Sequence, residues 1–318
     1  MPQNSTIRPA LAVSFCTSMS RPDAALALAA IHGLEGRRLS RAGAICVAGA
    51  GLNAAIFCDI VGRFYTVGPV PNANDVLPIG LALTTPMPPD PAIVKPVVDR
   101  RNEKGEPAYP RRISKASDTS QAEAMLRNGV TFTTDTAFVL SAPATSLAKC
   151  LGLLGVRELF QKRVKRLVLV DTGEPHQDVP ALRTLLAEWP TPVFVCGKDV
   201  GDALSFPGES IGRAFAWTSA HPVADAYRAF KTMPYDAPSY DLAAVYFASR
   251  PDSEFFRLSE PGSVMVGDGG RLTFAAGGKG TVRSLSVDPA KRAQAVQTFV
   301  ELTSAQPVAP NRRGRDAV

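Results

Sequence analysis

The sequence predicts a single α/β domain with a mainly parallel central sheet, helices on both faces and a C-terminal β-hairpin. Three observations carry this. Short apolar runs of strand length recur along the chain. Longer Ala- and Leu-rich stretches of helical character lie between them. The two kinds alternate, with Gly, Pro and Asn at the joints, the rhythm of parallel strands linked by crossover helices. The 318 residues, 45% hydrophobic and 20% charged, are enough for one large core.

Taken in order, residues 1–6 are polar and expected to be loose. Residues 11–15 read as a buried strand. Residues 23–34 read as a helix closed by Gly33 and Gly36. A second strand is expected at 44–48, a second helix at 53–65 and a third strand at 76–79. Prolines and charges dominate 84–116, which reads as a long loop or lid because strand–helix alternation resumes after it. A strand at 136–140 and a helix at 145–154 follow, then a strand at 167–170, a helix at 179–188 and a strand at 192–196. Residues 223–230 and 241–249 read as helices. Residues 263–287 read as a hairpin that turns at Gly267-Asp-Gly-Gly270. Residues 288–303 read as a closing helix. The domain is therefore expected to end near residue 304, with a disordered tail over 305–318. No internal repeat is visible.

The net charge is +6, from 35 basic and 29 acidic residues. Arg100, Arg101, Lys104, Arg111, Arg112 and Lys115 cluster in the 84–116 segment, and Arg312, Arg313 and Arg315 lie in the tail. Aromatic residues do not interleave with them. A solvated loop and tail are favoured over a nucleic-acid surface. No apolar run approaches the roughly 18 residues of a membrane span. No basic stretch precedes an apolar core at the start, so no signal peptide and a cytoplasmic location are expected. The 5 cysteines are scattered without a CxxC pair, as expected of reduced, buried thiols. His32, His176 and His221 are far from any cysteine pair, so no zinc site is expected.

In a doubly wound sheet, ligands bind beyond the carboxyl ends of the strands. The loop after the first strand reads Cys16-Thr-Ser-Met-Ser-Arg-Pro-Asp23. It lacks the glycines and lysine of a phosphate-binding loop. Ser20-x-x-Asp23 reads as a capping box in its Asp form, with Pro22 near the first helical position. Asp23 would then be a carboxylate favoured by the helix dipole.

At these residues the chain resembles the inosine–uridine-preferring nucleoside hydrolases, and more closely a divergent bacterial branch of that fold. The family motif has the form D-x-D-x-G-x-D-D-A-x-A-L. Matched by spacing, Cys16 and Ser18 stand at its first two aspartates, Ser20 at the glycine, and Pro22 and Asp23 at the final pair. Ala24-Ala-Leu-Ala-Leu28 continues as the family does. Leu77-Pro-Ile-Gly80, Ser141-Ala-Pro-Ala-Thr-Ser-Leu-Ala148, Asp178-Val-Pro-Ala181, Trp189-Pro-Thr-Pro192, His221-Pro-Val-x-x-Ala-Tyr-Arg228, Tyr240-Asp-Leu-Ala-Ala-Val245 and Gly267-Asp-Gly269 extend the match. It runs over about residues 8–303.

The resemblance implies a calcium-dependent N-glycosidase acting on ribonucleosides. Carboxylates hold the ion, and an aspartate takes a proton from the attacking water. Carried over by position, Asp23 and Asp241 match calcium ligands and Ser141 a backbone-carbonyl ligand. Cys16 replaces a calcium carboxylate, Ser18 a second carboxylate, and Pro22 the general base. Glu174 and His176 lie where the family contacts the ribose. Calcium binding is expected to be weak or absent, with catalysis weak or lost and binding of a ribonucleoside or related ribosyl small molecule retained. Two alternatives stay open: a non-catalytic interaction or structural subunit, and an enzyme of altered chemistry with Cys16 as nucleophile. The resemblance suggests a homo-oligomer. Tyr109, Trp217 and Tyr235 are the aromatic candidates for stacking a base.

Overall fold

The first strand, β1 (Ala12–Thr17), is buried along its whole length. Its sequence has no alternating polar face, which suits a strand covered on both sides. Val13 and Phe15 join one core layer and Cys16 the other, as the two-residue period of a strand requires. The structure, a computed structural model, describes residues 11–66, 77–132 and 135–307. The expectations for residues 1–6, for Val76 and for the tail from 308 onward lie outside the described residues.

After β1 come α1 (Pro22–Gly36), β2 (Arg41–Val47), α2 (Leu52–Tyr65), β3 (Ile79–Leu81), α3 (Lys95–Asp99), β4 (Ser120–Gln121), α4 (Ala122–Thr131) and β5 (Thr136–Ser141). The chain goes on through α5 (Thr145–Leu151), α6 (Val156–Arg163), β6 (Val164–Val170), α7 (Val179–Glu188), β7 (Val193–Cys196), α8 (Lys198–Ala203) and α9 (Ser210–Arg213). It closes with α10 (Pro222–Arg228), α11 (Tyr240–Ser249), β8 (Phe256–Leu258), β9 (Gly262–Val266), β10 (Leu272–Ala276), β11 (Arg283–Val287) and α12 (Arg292–Thr303).

The nine-stranded sheet runs β4-β3-β2-β1-β5-β6-β7-β11-β8. Every pair is parallel except the edge pair β11–β8. Strand order reverses at β1, which has β2 on one side and β5 on the other. That reversal opens a crevice above the carboxyl ends of β1 and β5, the place where open α/β sheets take ligands. α1, α2, α10, α11 and α12 cover one face, and α4 to α7 cover the other.

α1 is buried on nearly every side, and its Ala-rich sequence fits that position. At Gly33 a Cβ would stand 2.1 Å from the Leu302 carbonyl oxygen, so α1 and α12 meet almost backbone to backbone. The expected hairpin over 263–287 is shorter in the structure. Only β9 and β10 form it, and β11 leaves to pair with β7. Gly277 and Gly278, both at positive φ, turn the chain away between them.

The 84–116 segment carries α3, and Val94, Val97, Tyr109 and Ile113 are buried in the core beneath it. Buried Asp59 ties its far end down, accepting from the Ile113 N–H at 3.0 Å, from the Arg112 N–H and from Arg63 Nε at 3.0 Å. Of its basic residues, Arg100 pairs with Asp225, and Arg111 donates to the Val98 carbonyl at 3.0 Å. Among the described residues, no helix is long and apolar enough to cross a membrane.

Candidate functional site

Beyond Thr17 the chain turns sharply. Met19 takes φ 53°, and its N–H donates to Thr17 Oγ1 at 3.0 Å. A positive φ is strained for a bulky residue and is a feature of binding loops. Pro22 then opens α1 at its first position. The residue before a proline is pushed into extended geometry, and Arg21 sits at φ −124°, ψ 152°.

The expected capping box does not form. α1 has Arg21 at its N-cap with no side-chain cap bond. Ser20 pairs instead with Ser18 through their hydroxyls at 2.8 Å. Asp23 falls one position too early to reach back, and its Oδ2 accepts from the Asp241 backbone N–H at 2.7 Å. Asp23 thus caps α11 rather than α1. The two helix N-termini converge, which favours carboxylates at both.

Asp23 and Asp241 are 218 positions apart, yet they share one partner. Arg21 Nη2 donates to Asp241 Oδ1 at 2.9 Å, to Asp241 Oδ2 at 3.0 Å and to Ser141 Oγ at 2.9 Å. Arg21 Nε donates to Asp23 Oδ1 at 3.3 Å. The Ser141 hydroxyl donates in turn to Asp241 Oδ1. The Asp23 and Asp241 side chains are 2% and 1% exposed, and that of Arg21 is 30% exposed. The guanidinium also lies 5.9 Å from the Tyr240 ring centroid. Burial opposes its charge, but Asp241 and then Asp23 more than offset this and hold its pKa above the ordinary value. Burial, and next the charge of Asp241, push the Asp23 carboxyl up to about 7, against the pull of Arg21.

The remaining expected positions are spread around this cluster. Ser18 and Ser20 line the cleft. Pro22 is buried in the first turn of α1 and carries no titratable group. Cys16 is 2% exposed in the second core layer, paired with Cys46 across β1 and β2. Its hydrogen bond with Cys46, and then burial, push its pKa well up. That environment disfavours the thiolate a nucleophile requires. Tyr109, Trp217 and Tyr235 do not line the cleft. Tyr109 bonds Asp225, Trp217 Nε1 donates to the Ser304 carbonyl at 2.9 Å, and Tyr235 stacks on Tyr227 at 4.5 Å.

The opposite wall is the loop after β6. Glu174 and His176 face Arg21 across a cleft of about 250 Å³. The His176 N–H donates to the Gly270 carbonyl at 2.8 Å, and Arg271 donates to the Gly173 carbonyl at 2.7 Å. The β9–β10 turn therefore holds this loop. His176 Nε2 is buried, has no hydrogen-bond partner among the described residues, and lies 3.9 Å from Asp171 Oδ1. Burial lowers the His176 pKa, Asp171 pulls it back and Arg21 lowers it further, so the ring is neutral near pH 7.

The donor set was tested against the calcium ion that the resemblance implies. Calcium takes about six to eight oxygen ligands. Both oxygens of Asp23 and both of Asp241 already accept hydrogen bonds, and a cationic side chain sits among them. Among the described residues, no group of three or more His, Cys, Asp or Glu could hold a metal. As arranged, these residues do not fit the ion. Sequence reasoning missed Arg21 and Asp171. The signal for Arg21 was a lone charge between Ser20 and Pro22 at the mouth of a buried helix. The signal for Asp171 was only its place at the end of a strand.

The sequence matches no protein-family model, and no curated protein matches it either. Solved structures do match. A plant nucleoside hydrolase is 16% identical with a TM-score of 0.65, over 93% of this chain and 100% of its own. An inosine–uridine preferring nucleoside hydrolase from Bacillus anthracis is 12% identical with a TM-score of 0.64, over 92% of this chain and 99% of its own. The type III effector XopQ, solved with adenosine diphosphate ribose, is 11% identical with a TM-score of 0.60, over 94% of each chain. The chain has the nucleoside hydrolase fold.

Proposed function

We propose that this chain, built on the nucleoside hydrolase fold, binds a ribosyl small molecule in the crevice above β1 and β5, with N-glycosidic hydrolysis weak or lost. One observation carries the reading. Arg21 and Ser141 line the cleft above β1 and β5, and the buried carboxylates of Asp23 and Asp241 behind them are engaged by Arg21. Hydrolysis needs a group to take the proton of the attacking water. Pro22 stands at that position, and loss of such a base costs about 10² to 10⁴ in rate. Hydroxyl-rich ligands remain well served. Ser18, Ser20, Glu174 and neutral His176 offer donors and acceptors around the cleft, and such convergent polar groups orient a small ligand.

Titration calorimetry with inosine, uridine and adenosine diphosphate ribose tests this, beside an assay for released ribose. Binding of at least one compound is expected, with ribose release absent or far below the usual enzymatic range. Turnover in the usual enzymatic range, about 1 to 10³ per second, overturns the loss of hydrolysis. No binding by any of the three returns the chain to the interaction-subunit reading.

A further inference from the structure

We infer that Arg21 is the built-in cation of this cleft, holding Asp23 and Asp241 together and meeting the ligand's hydroxyls without a divalent ion. The part that concerns the ligand rests on the ribosyl reading above. The part that concerns the carboxylates does not.

The carboxylates come first. Asp23 and Asp241 are almost wholly buried and linked through the Asp241 backbone N–H. Two such groups side by side require a countercharge, and an unpaired buried charge is strongly destabilising. Arg21 supplies it. A guanidinium stays charged at any ordinary pH and presents its donors in a rigid plane, which suits contact with two carboxylates at once. Nε serves Asp23, and Nη2 serves Asp241 and Ser141. Pro22 contributes by holding Arg21 extended at the mouth of α1. The residue that stands at the general-base position thus helps to place the cation.

The ligand side follows from what is left over. Nη1 has no partner among the described residues, and the Arg21 side chain lines the cleft with 30% of its surface exposed. Two N–H groups on one nitrogen suit the oxygens of a neighbouring hydroxyl pair. A phosphate gains little here, because the charge of Arg21 is already offset by Asp23 and Asp241 and Glu174 adds a carboxylate at the cleft. The geometry therefore favours the unphosphorylated diol of a ribosyl group.

The test reads melting temperature in EDTA and in millimolar calcium chloride, at matched ionic strength and without ligand. The parent is expected to melt at the same temperature in both. Arg21→Ala is expected to melt several degrees lower in EDTA and to regain part of the loss in calcium, as the freed carboxylates take an outside cation. A parent that loses stability in EDTA and regains it in calcium overturns the inference. So does an Arg21→Ala variant as stable as the parent in EDTA. If Arg21→Ala does not fold in either buffer, Arg21→Lys decides. Recovery of most of the parent's melting temperature supports the role of charge at this place, and a lysine variant that also fails to fold overturns it. Calorimetry with inosine then reads the ligand side separately. Unchanged affinity in EDTA and at least tenfold weaker binding by Arg21→Lys are expected. Affinity that depends on calcium overturns this half. A parent that binds no ribosyl compound removes only the ribosyl reading, since the thermal arms need no ligand.

Discussion

A carboxylate that serves two helices is worth more than a helix cap. Asp23 was legible in the sequence as an N-terminal carboxylate of α1, and it does lie in that first turn. Its hydrogen bond, however, goes to the first turn of α11, and no local pattern reports a partner so far along the chain. Arg21 was illegible for the same reason. Its three partners come from α1, from the end of β5 and from α11, and only the folded sheet brings these together. The expected cost of Asp23→Ala rises accordingly. The change strips the acceptor from a buried backbone N–H, which costs about 1–3 kcal/mol, and it also removes one carboxylate from Arg21. A total loss of about 2–4 kcal/mol is expected in urea denaturation. A loss under about 1 kcal/mol would mean that the N–H of Asp241 finds another acceptor and that the bridge between the helices contributes little.

The elements that sequence patterning recovered are the ones whose signal is local. β1, α1, α2, β5, α7 and α11 all lie where apolar runs or Ala-rich stretches place them. α4 and α6 were missed because charged residues interrupt their short apolar faces. β11 was misassigned to the hairpin because apolar spacing cannot say whether a strand pairs with its neighbour or crosses to another sheet. The hairpin has a consequence for the cleft. Its turn residue Gly270 has φ 76°, and a Cβ there would stand 2.3 Å from the His176 carbonyl oxygen. Gly270→Ala must therefore displace either the turn or the loop that carries Glu174 and His176. Calorimetry with the best ribosyl ligand is expected to show at least tenfold weaker binding. The melting temperature is expected to move by only a few degrees, since Gly270 is buried but the rest of the turn, Gly267 to Gly269, is exposed and can shift. Unchanged affinity would show that the wall of the cleft does not depend on the hairpin.

At the scale of the molecule, the parallel sheet was legible, because it follows from the alternation of strands and helices, whereas the reversal of strand order at β1 appears only in the folded sheet. The aromatic and histidine cluster on the helical side was not legible either. It joins α1 and α2 to the N-cap of α10 and to α12, which lie far along the chain. His32 of α1 stacks on Tyr65 of α2 at 5.0 Å, and the Tyr65 hydroxyl lies 3.3 Å from Nε2 of His221, beside α10. The same hydroxyl donates to the Thr303 carbonyl of α12 at 3.1 Å. Phe64, Phe215 and Trp217 pack around His221. Burial lowers the pKa of His32 from 6.5 to about 4. Burial also lowers that of His221 from 6.5 to about 4, with Asp225 pulling upward and Arg228 downward. Glu35, at 4.0 Å from His32, is half exposed and gives little compensation. Because the folded pKa values are lowered, the unfolded chain binds more protons as pH falls below 6.5. The stability these two groups contribute is then full above that value and declines as pH drops toward about 4. At about 1.4 kcal/mol for each tenfold in proton affinity, the pair accounts for a loss of about 2–4 kcal/mol between about pH 7 and about pH 5. The Asp23 carboxyl, pushed up to about 7 by burial and the charge of Asp241, acts in the opposite sense over the same range, so the pair is measured by the difference in denaturation between the parent and a variant that lacks one imidazole. His32→Phe keeps a ring on Tyr65 and has no proton to bind, so between those two pH values it is expected to keep about 1–2 kcal/mol more of its stability than the parent does. A variant with the same pH slope as the parent would assign the acid sensitivity to groups outside this cluster.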